Sequence, residues 1–470
     1  MRIAFCSSEV FPFAKTGGLA DVCGALPLAL KNRKHKVCIF MPLYKSIDVK
    51  KYNITKVGGH IYKAQLGRDI DVFFVKSQEY FHRDGFYGDG SHDYADNLKR
   101  FQFFCEQVLM FIKESKIALD IIHCHDWQTA LIPVYLKEKF KADPIFKNVK
   151  SILTIHNLAF QGVFPKEQFS LLGLSQDLFR MDGFEFYDQV NLLKSGILHA
   201  DEITTVSPQY AREIQTKEFG CALDDVLKSR DNRIEGILNG LDHDVWNPKT
   251  DERVIKKYSR DSFKKGKAVN KKYLQESMNF AVNANVPLFG FVGRLSHQKG
   301  VALMIETLRS LEKIDAQAVI QGVGEKRFYT ALQELQARFP KRIAVRLEFN
   351  ESLAHHIYAG VDMFLMPSVY EPCGLSQMIS LYYGTIPIVF KTGGLVDTIH
   401  AFDERTFKGN GFVFDKYTKE NFLQSIEQAI KCFHKPSTFE RLIQNAFACD
   451  FSWGKSAQDY ERVYRCLLSD

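Results

Sequence analysis

The chain has 470 residues, 46% of them hydrophobic and 25% charged, and a formal net charge of +7. This allows two or three domains with large cores, in an ordinary globular composition. It shows no basic tract of the kind a nucleic-acid binder carries, no apolar stretch long enough to span a bilayer and no low-complexity segment, so neither nucleic acid nor membrane is an expected partner.

In chain order, apolar or β-branched runs predict strands at Ile3-Cys6, Val37-Met41, Val72-Val75, Ile121-Cys124, Ile152-Ile155 and Ile203-Val206. Helical patterns lie between them at Ala20-Asn32, Asn97-Lys113 and Gln128-Phe140. A turn-rich break follows at Asn239-Gly240-Leu241-Asp242, and then a highly charged stretch of helical character to about Asn285. Further strands are predicted at Leu288-Val292, Ala318-Gln321, Ile343-Leu347, Met363-Met366, Ile386-Phe390 and Phe412-Phe414. The intervening helices fall at Gly300-Ile314, Glu325-Phe339, Ser352-Ala359 and Leu375-Tyr383, and Ser456 to Leu468 reads as a final amphipathic helix. Such alternation predicts an α/β chain with parallel sheets covered on both faces. The ten cysteines form no C-x-x-C pair, and Cys6, Cys38 and Cys124 fall inside strand-like runs. Reduced core thiols and a cytoplasmic location are expected. No signal-peptide core is visible between Met1 and Glu9.

Lys15-Thr16-Gly17-Gly18-Leu19-Ala20-Asp21 recurs as Lys391-Thr392-Gly393-Gly394-Leu395-Val396-Asp397. Each copy joins a strand to a helix. Paired glycines ahead of a helix N-terminus, with a lysine two residues earlier, make an anion cradle suited to phosphate. Two cradles suggest two Rossmann-like halves that face one nucleotide-bearing ligand.

Gly293-Arg294-Leu295-Ser296-His297-Gln298-Lys299-Gly300 closes a strand, and Arg294 and Lys299 can converge on a diphosphate. Two solvated surface cations are the equal alternative. Glu371, in Tyr370-Glu371-Pro372-Cys373-Gly374-Leu375, follows a strand where open α/β sheets bind ligands, and could accept sugar hydroxyls. It could also merely complement a helix dipole. His123-Cys124-His125-Asp126-Trp127 puts two imidazoles on one strand face. Zinc would need further ligands that are not visible. Asp126 and Trp127 are therefore read as a sugar-bonding group and an apolar ring, against the alternatives of N-cap and core. His156, in the strand end Thr154-Ile155-His156-Asn157, is the candidate beside a reacting carbon, although a lone histidine is usually structural.

Together these motifs, with His156-Asn157-Leu158-Ala159-Phe160-Gln161-Gly162 and Ile237-Leu238-Asn239-Gly240-Leu241-Asp242, resemble the bacterial glycogen synthase and plant starch synthase family, glycosyltransferase family five. The resemblance covers nearly the whole chain. It implies the GT-B fold, two Rossmann-like domains facing each other across a deep cleft. The domains would be residues 1–240 (acceptor side) and 241–455 (donor side), with 456–470 packing back on the first. It implies retaining transfer of glucose from ADP-glucose to the non-reducing end of glycogen or another α-1,4-glucan, with no metal and no organic cofactor. Its implied catalytic residues are His156, Glu371, Arg294 and Lys299. Donor contacts would be Lys15, Gly17, Gly18, Asn239, Phe349, Cys373, Gly374, Leu375, Thr392, Gly393 and Gly394, and sugar or acceptor contacts Asp21, Tyr94, Asp96, Asp126, Trp127 and Asn157. Phe349 stands where the family often has a tyrosine stacked on the nucleobase, so the stacking face remains and the hydroxyl is lost. A UDP-glucose-using GT-B transferase and a catalytically silent glucan-binding protein are the competing readings. A dinucleotide oxidoreductase is disfavoured because Gly322-Val323-Gly324 lacks the third glycine of its fingerprint.

Overall fold

In the computed structural model, which describes every residue except 68, 91, 231–232, 311–314 and 470, the apolar runs become strands and the patterns between them helices. Two units result: residues 1–240 with 453–470, and residues 241–452.

The first unit contains β1 (Arg2–Cys6), β2 (Lys36–Pro42), β3 (Thr55–Gly58), β4 (Ile61–Leu66), β5 (Ile70–Val75), β6 (Ile121–His125), β7 (Lys150–Ile155), β8 (Val163–Pro165), β9 (Glu185–Phe186), β10 (Gln189–Asn191), β11 (Glu202–Thr205) and β12 (Ile234–Gly236). Nine of them form one sheet in the order β12-β11-β7-β6-β1-β2-β5-β4-β3, while β8, β10 and β9 make a small antiparallel sheet. The central strands are parallel and almost wholly buried, because helices cover them on both faces. Only the β5-β4-β3 edge is antiparallel. Neither β3 nor β4 is expected from the sequence: β3 is exposed throughout and β4 half-exposed, so neither carries a continuous apolar run. The expected helix over Gln128-Phe140 divides into a short 3₁₀ turn, Trp127–Thr129, and a helix, Leu131–Glu138. Pro133, with no N–H to donate, falls in that helix's first turn. The final helix, Trp453–Ser469, packs in this unit against the helix Gly18–Asn32, and Arg33 pairs with Glu461.

The second unit holds β13 (Leu288–Val292), β14 (Gln317–Gln321), β15 (Ile343–Arg346), β16 (Met363–Met366), β17 (Ile386–Phe390) and β18 (Phe412–Phe414). They form one parallel sheet, β15-β14-β13-β16-β17-β18. The helix that follows β13 spans Val301–Leu308; the last residues expected for it, 311–314, lie outside the described ones. Two helices that the sequence reading does not name, Lys419–Phe433 and Pro436–Phe447, complete the core.

The charged stretch after the break becomes the helix Phe263–Ser277. Its charge is misleading, because Lys267 and Lys271 are buried. Lys271 pairs with Asp362 at 2.7 Å. Lys267 Nζ donates to Thr385 Oγ1 (2.7 Å) and to the carbonyls of Val361 (2.9 Å) and Ala359 (3.3 Å), with no carboxylate in contact. Burial therefore lowers its pKa from 10.5 to about 7, with Asp362 opposing and Lys271 reinforcing the shift. Between those values the unfolded chain holds a proton that the folded protein has shed, so stability rises with pH across the window. We expect wild-type protein to gain up to about 1.4 kcal/mol per pH unit relative to Lys267→Met there, the limit for one proton. Thermal melts of both proteins from pH 7 to 10 check this; parallel curves would count against it.

Candidate functional site

In an open parallel sheet, loops diverge where the strand order reverses, and that leaves room for a ligand at the strands' carboxyl ends. The reversal falls between β1 and β6 in the first unit and between β13 and β16 in the second. The loops after these strands carry most of the residues singled out from the sequence.

In the first unit the loop after β1 is organised by Glu9, which is buried. Its carboxylate accepts from the Thr16 amide, from Thr16 Oγ1 (2.6 Å) and from the Tyr87 hydroxyl (2.6 Å). This fixes the segment that leads into Gly17 and the helix Gly18–Asn32. Gly17 caps that helix without a side-chain hydrogen bond, and a Cβ built on it would meet nothing within 4 Å. Its φ of −154° suits any residue. The glycine is thus not needed by the fold, and it leaves backbone open to an incoming group. Lys15 is part-exposed, with Nζ 2.6 Å from Asp21. Asp21, expected to reach a sugar, pairs with this lysine.

After β6, Asp126 adopts φ +57°, uncommon for a non-glycine residue. Its carboxylate accepts from the backbone N–H of His156 (2.7 Å) and of Asn157. Burial raises its pKa to about 7 despite those donors. Asp126 thereby fastens the end of β7 to that of β6, and does not cap the 3₁₀ turn with its side chain. His156 and Asn157 remain partly exposed. The Asn157 side chain accepts from the Ala159 amide at 3.1 Å. Trp127 corrects the expectation of an offered ring: it is buried, packed edge-on against Phe101, with its ring lying over Gly162.

Tyr94 and Asp96 are also engaged within the protein. Arg83 grips Asp96 with two bonds, 2.8 and 2.7 Å, and holds its carboxyl below the usual range. The Tyr94 ring lies 4.8 Å from both Arg83 and Arg100. Both residues shape the loop before the helix Asn97–Glu114. Asn239 is buried, and its Oδ1 has no hydrogen-bond partner among the described residues.

In the second unit the loops after β13 and β16 are tied together. The Val369 amide donates to the Gln298 carbonyl at 2.8 Å. Gly300 takes φ +69°, and a Cβ on it would stand 1.7 Å from the Pro367 carbonyl oxygen. This close approach sets Lys299 Nζ 2.5 Å from Glu371 Oε2, which also accepts from Ser368 Oγ at 3.0 Å. Glu371 is 5% exposed. A buried carboxylate is costly unless paired, so Lys299 and Ser368 account for its position. Arg294 is exposed and has no hydrogen-bond or ion-pair partner among the described residues. Phe349 is 85% exposed and packs against no other ring among the described residues.

The second glycine pair departs from the expected cradle. The Gly394 amide donates to the Glu371 carbonyl at 2.9 Å, and a Cβ there would lie 2.2 Å from the Cys373 oxygen. Gly394 is used to seat the Glu371 loop. Thr392 and Gly393 are buried beside it, and Thr392 Oγ1 has no partner among the described residues. Past Cys373, itself buried, Gly374 turns the chain at φ +75° into the helix Ser376–Tyr382, and the amides of Gly374 and Leu375 have no acceptor among the described residues. The sequence reading misses Glu9, Tyr87 and Ser368. For Glu9 and Ser368 the usable signal is position, just beyond strands at a reversal point; Tyr87, from a distant loop, leaves none.

Residues 2–229 match the family described as starch synthase catalytic domain, and residues 275–448 that described as glycosyl transferases group 1. The chain is 44% identical to a glycogen synthase of Geotalea daltonii, over 100% of this chain and 99% of that protein. It is 42% identical to one of Fervidobacterium nodosum, over 99% and 98%. Among solved structures it is similar to the catalytic domain of starch synthase IV from Arabidopsis thaliana, bound to ADP and acarbose, with a TM-score of 0.91, 31% identity, and coverage of 100% of this chain and 99% of that one. A sucrose-phosphate synthase of Thermosynechococcus elongatus shares the fold at a TM-score of 0.63 and 15% identity, with coverage of 100% and 99%.

Gly300→Ala combines a positive φ with a backbone collision. We expect it to cost about 1–3 kcal/mol of stability and to separate Lys299 from Glu371. Thermal denaturation checks the first effect, and a fall in kcat/KM in protein that still folds checks the second.

Proposed function

The chain belongs to the glycogen and starch synthase family of glycosyltransferases, and we propose how its residues serve transfer of glucose from ADP-glucose to the non-reducing end of an α-1,4-glucan. The observation that carries the reading is the coupled pair of Lys299 and Glu371, with exposed Arg294 on the same loop as Lys299, at the reversal point of the second sheet.

Breaking the anomeric bond leaves negative charge on ADP and an oxocarbenium-like sugar. Transition-state stabilisation therefore requires cations at the departing diphosphate. The Arg294 guanidinium, with no partner among the described residues, serves this. Lys299 has three donors and uses one on Glu371, so it can bridge the carboxylate and a phosphate oxygen. Glu371, held by Lys299 and Ser368, accepts hydroxyls of the donor glucose. The amides of Gly374 and Leu375, at a helix start, supply further donors to anionic oxygen. Phe349 stacks on adenine. In the first unit, Lys15 and the backbone at Gly17 and Gly18 contact donor phosphate, while His156, Asn157 and Asn239 meet the sugars. Asp126 acts on them through the β7 backbone, by fixing the His156 and Asn157 amides. Transfer proceeds with retention, by attack on the face from which ADP departs.

The setting is cytoplasmic in this reading. All ten cysteines are unpaired, as a reducing compartment favours. No helix among the described residues is long and apolar enough to cross a membrane.

Lys299→Ala and Glu371→Ala should each lower kcat by roughly 10²–10³, the effect of removing one transition-state donor or its anchor. Release of ADP in the presence of glycogen measures it, and unchanged turnover in both folded variants would sink the assignment. Phe349→Ala should raise KM for ADP-glucose by about 2–10-fold at constant kcat, the worth of one aromatic stack, and Phe349→Tyr should not. Competition of ADP-glucose against UDP-glucose, with glycogen as acceptor, is expected to favour the adenine donor; preference for UDP-glucose would overturn the donor assignment.

A further inference from the structure

His156 is held by a stack of rings that the proposed reaction does not use directly. His123 and His125 on β6 lie with ring centroids 4.3 Å apart, and Phe5 of β1 packs on both, at 4.8 and 5.5 Å. His123 is fixed at both nitrogens. Its Nδ1 is 2.8 Å from the hydroxyl of Tyr464 in the final helix, and its Nε2 is 2.5 Å from Thr154 Oγ1. His125 Nδ1 lies 3.0 Å from His156 Nε2. Buried His125 Nε2 has no hydrogen-bond partner among the described residues, and His156 Nδ1 bonds to none of them.

Burial holds these imidazoles neutral: the pKa values of His123 and His156 fall to about 3, and that of His125 falls well below its ordinary value. Two neutral rings share one proton between their facing nitrogens, so only two arrangements exist. If His156 donated from Nε2, His125 would carry its proton on Nε2, as a buried donor without an acceptor. If His125 donates from Nδ1, its Nε2 is left as a bare lone pair. Orphaned buried N–H groups are the rarer and costlier of the two. The second arrangement is therefore favoured, and it leaves His156 protonated on Nδ1.

Taking His156 to meet the sugar, as proposed above, we propose that His125 is a positioning residue that holds His156 as its Nδ1–H tautomer, so that it presents a hydrogen-bond donor to a sugar hydroxyl. Phe5, His123 and Tyr464 fix the plane of His125 and hence the direction of that donor.

The test uses the full-length enzyme labelled with ¹⁵N-histidine, with the His156 resonances assigned by their loss in His156→Ala. Wild-type protein should show His156 protonated on Nδ1 and bare on Nε2; the reverse overturns the proposal, whatever the variants do. In His125→Leu the Nδ1–H preference should be lost and kcat should fall about tenfold, with KM for ADP-glucose within about threefold. His125→Asn, whose amide N–H can stand where Nδ1–H stood, should restore the tautomer and return kcat to within about threefold of wild type. Equal loss in both folded variants overturns the positioning role. If His156→Ala keeps full kcat, the assignment of His156 fails and this role with it; if His156→Ala loses kcat but the wild-type tautomer is reversed, only the positioning role fails.

Discussion

A parallel sheet cannot bring distant loops together wherever it likes. Its loops leave the carboxyl edge to one side or the other, and only at the point of reversal do neighbouring loops diverge and leave space between their backbones. Both sheets here reverse once, at β1/β6 and at β13/β16. That constraint puts the segments Ser7 to Gly18 and His125 to Trp127 side by side in one unit, and Arg294 to Gly300 beside Pro367 to Glu371 in the other. The two-sheet GT-B architecture thus has its chemistry placed by topology before any side chain is considered.

Electrostatics then selects the residues. Glu9 and Glu371 are each buried at a reversal point, and each is satisfied differently. Glu9 is surrounded by neutral donors and serves to order a backbone loop. Glu371 has a cation and a hydroxyl, and it holds Lys299 where its remaining donors can face a ligand. Charge-assisted bonds are worth about 1.5–3 kcal/mol, enough to fix a lysine side chain against its rotamer entropy. Arg294 and Phe349 show the opposite condition: both are exposed, and Arg294 has no hydrogen-bond or ion-pair partner among the described residues.

The two copies of Lys-Thr-Gly-Gly-Leu illustrate how like sequences come to differ. At Gly17 nothing in the protein approaches the backbone. Gly394, the second glycine of the other copy, is pressed against the Cys373 carbonyl, and its amide donates to the Glu371 carbonyl. The difference lies in the loop that the fold sets opposite each copy, which no local pattern records. Trp127, Tyr94 and Asp96 follow the same rule. Trp127 packs on Phe101 and Gly162, and Arg83 and Arg100 lie on Tyr94, with Arg83 also pairing Asp96.

The sequence by itself determined the α/β class, the central parallel strands and the position of the chief charged loops. Hydrophobic period and strand-end placement are local properties, and they survive folding. It left β3 and β4 unmarked because strands at and next to a solvent-exposed end of a sheet need no continuous apolar run. Only the tertiary structure decided that Lys299 meets Glu371, that Lys15 pairs with Asp21 and that three histidines cluster, His123 stacked on His125 and His125 hydrogen-bonded to His156. Those outcomes depend on which loop lies against which, and that follows from strand order rather than from neighbours in the chain.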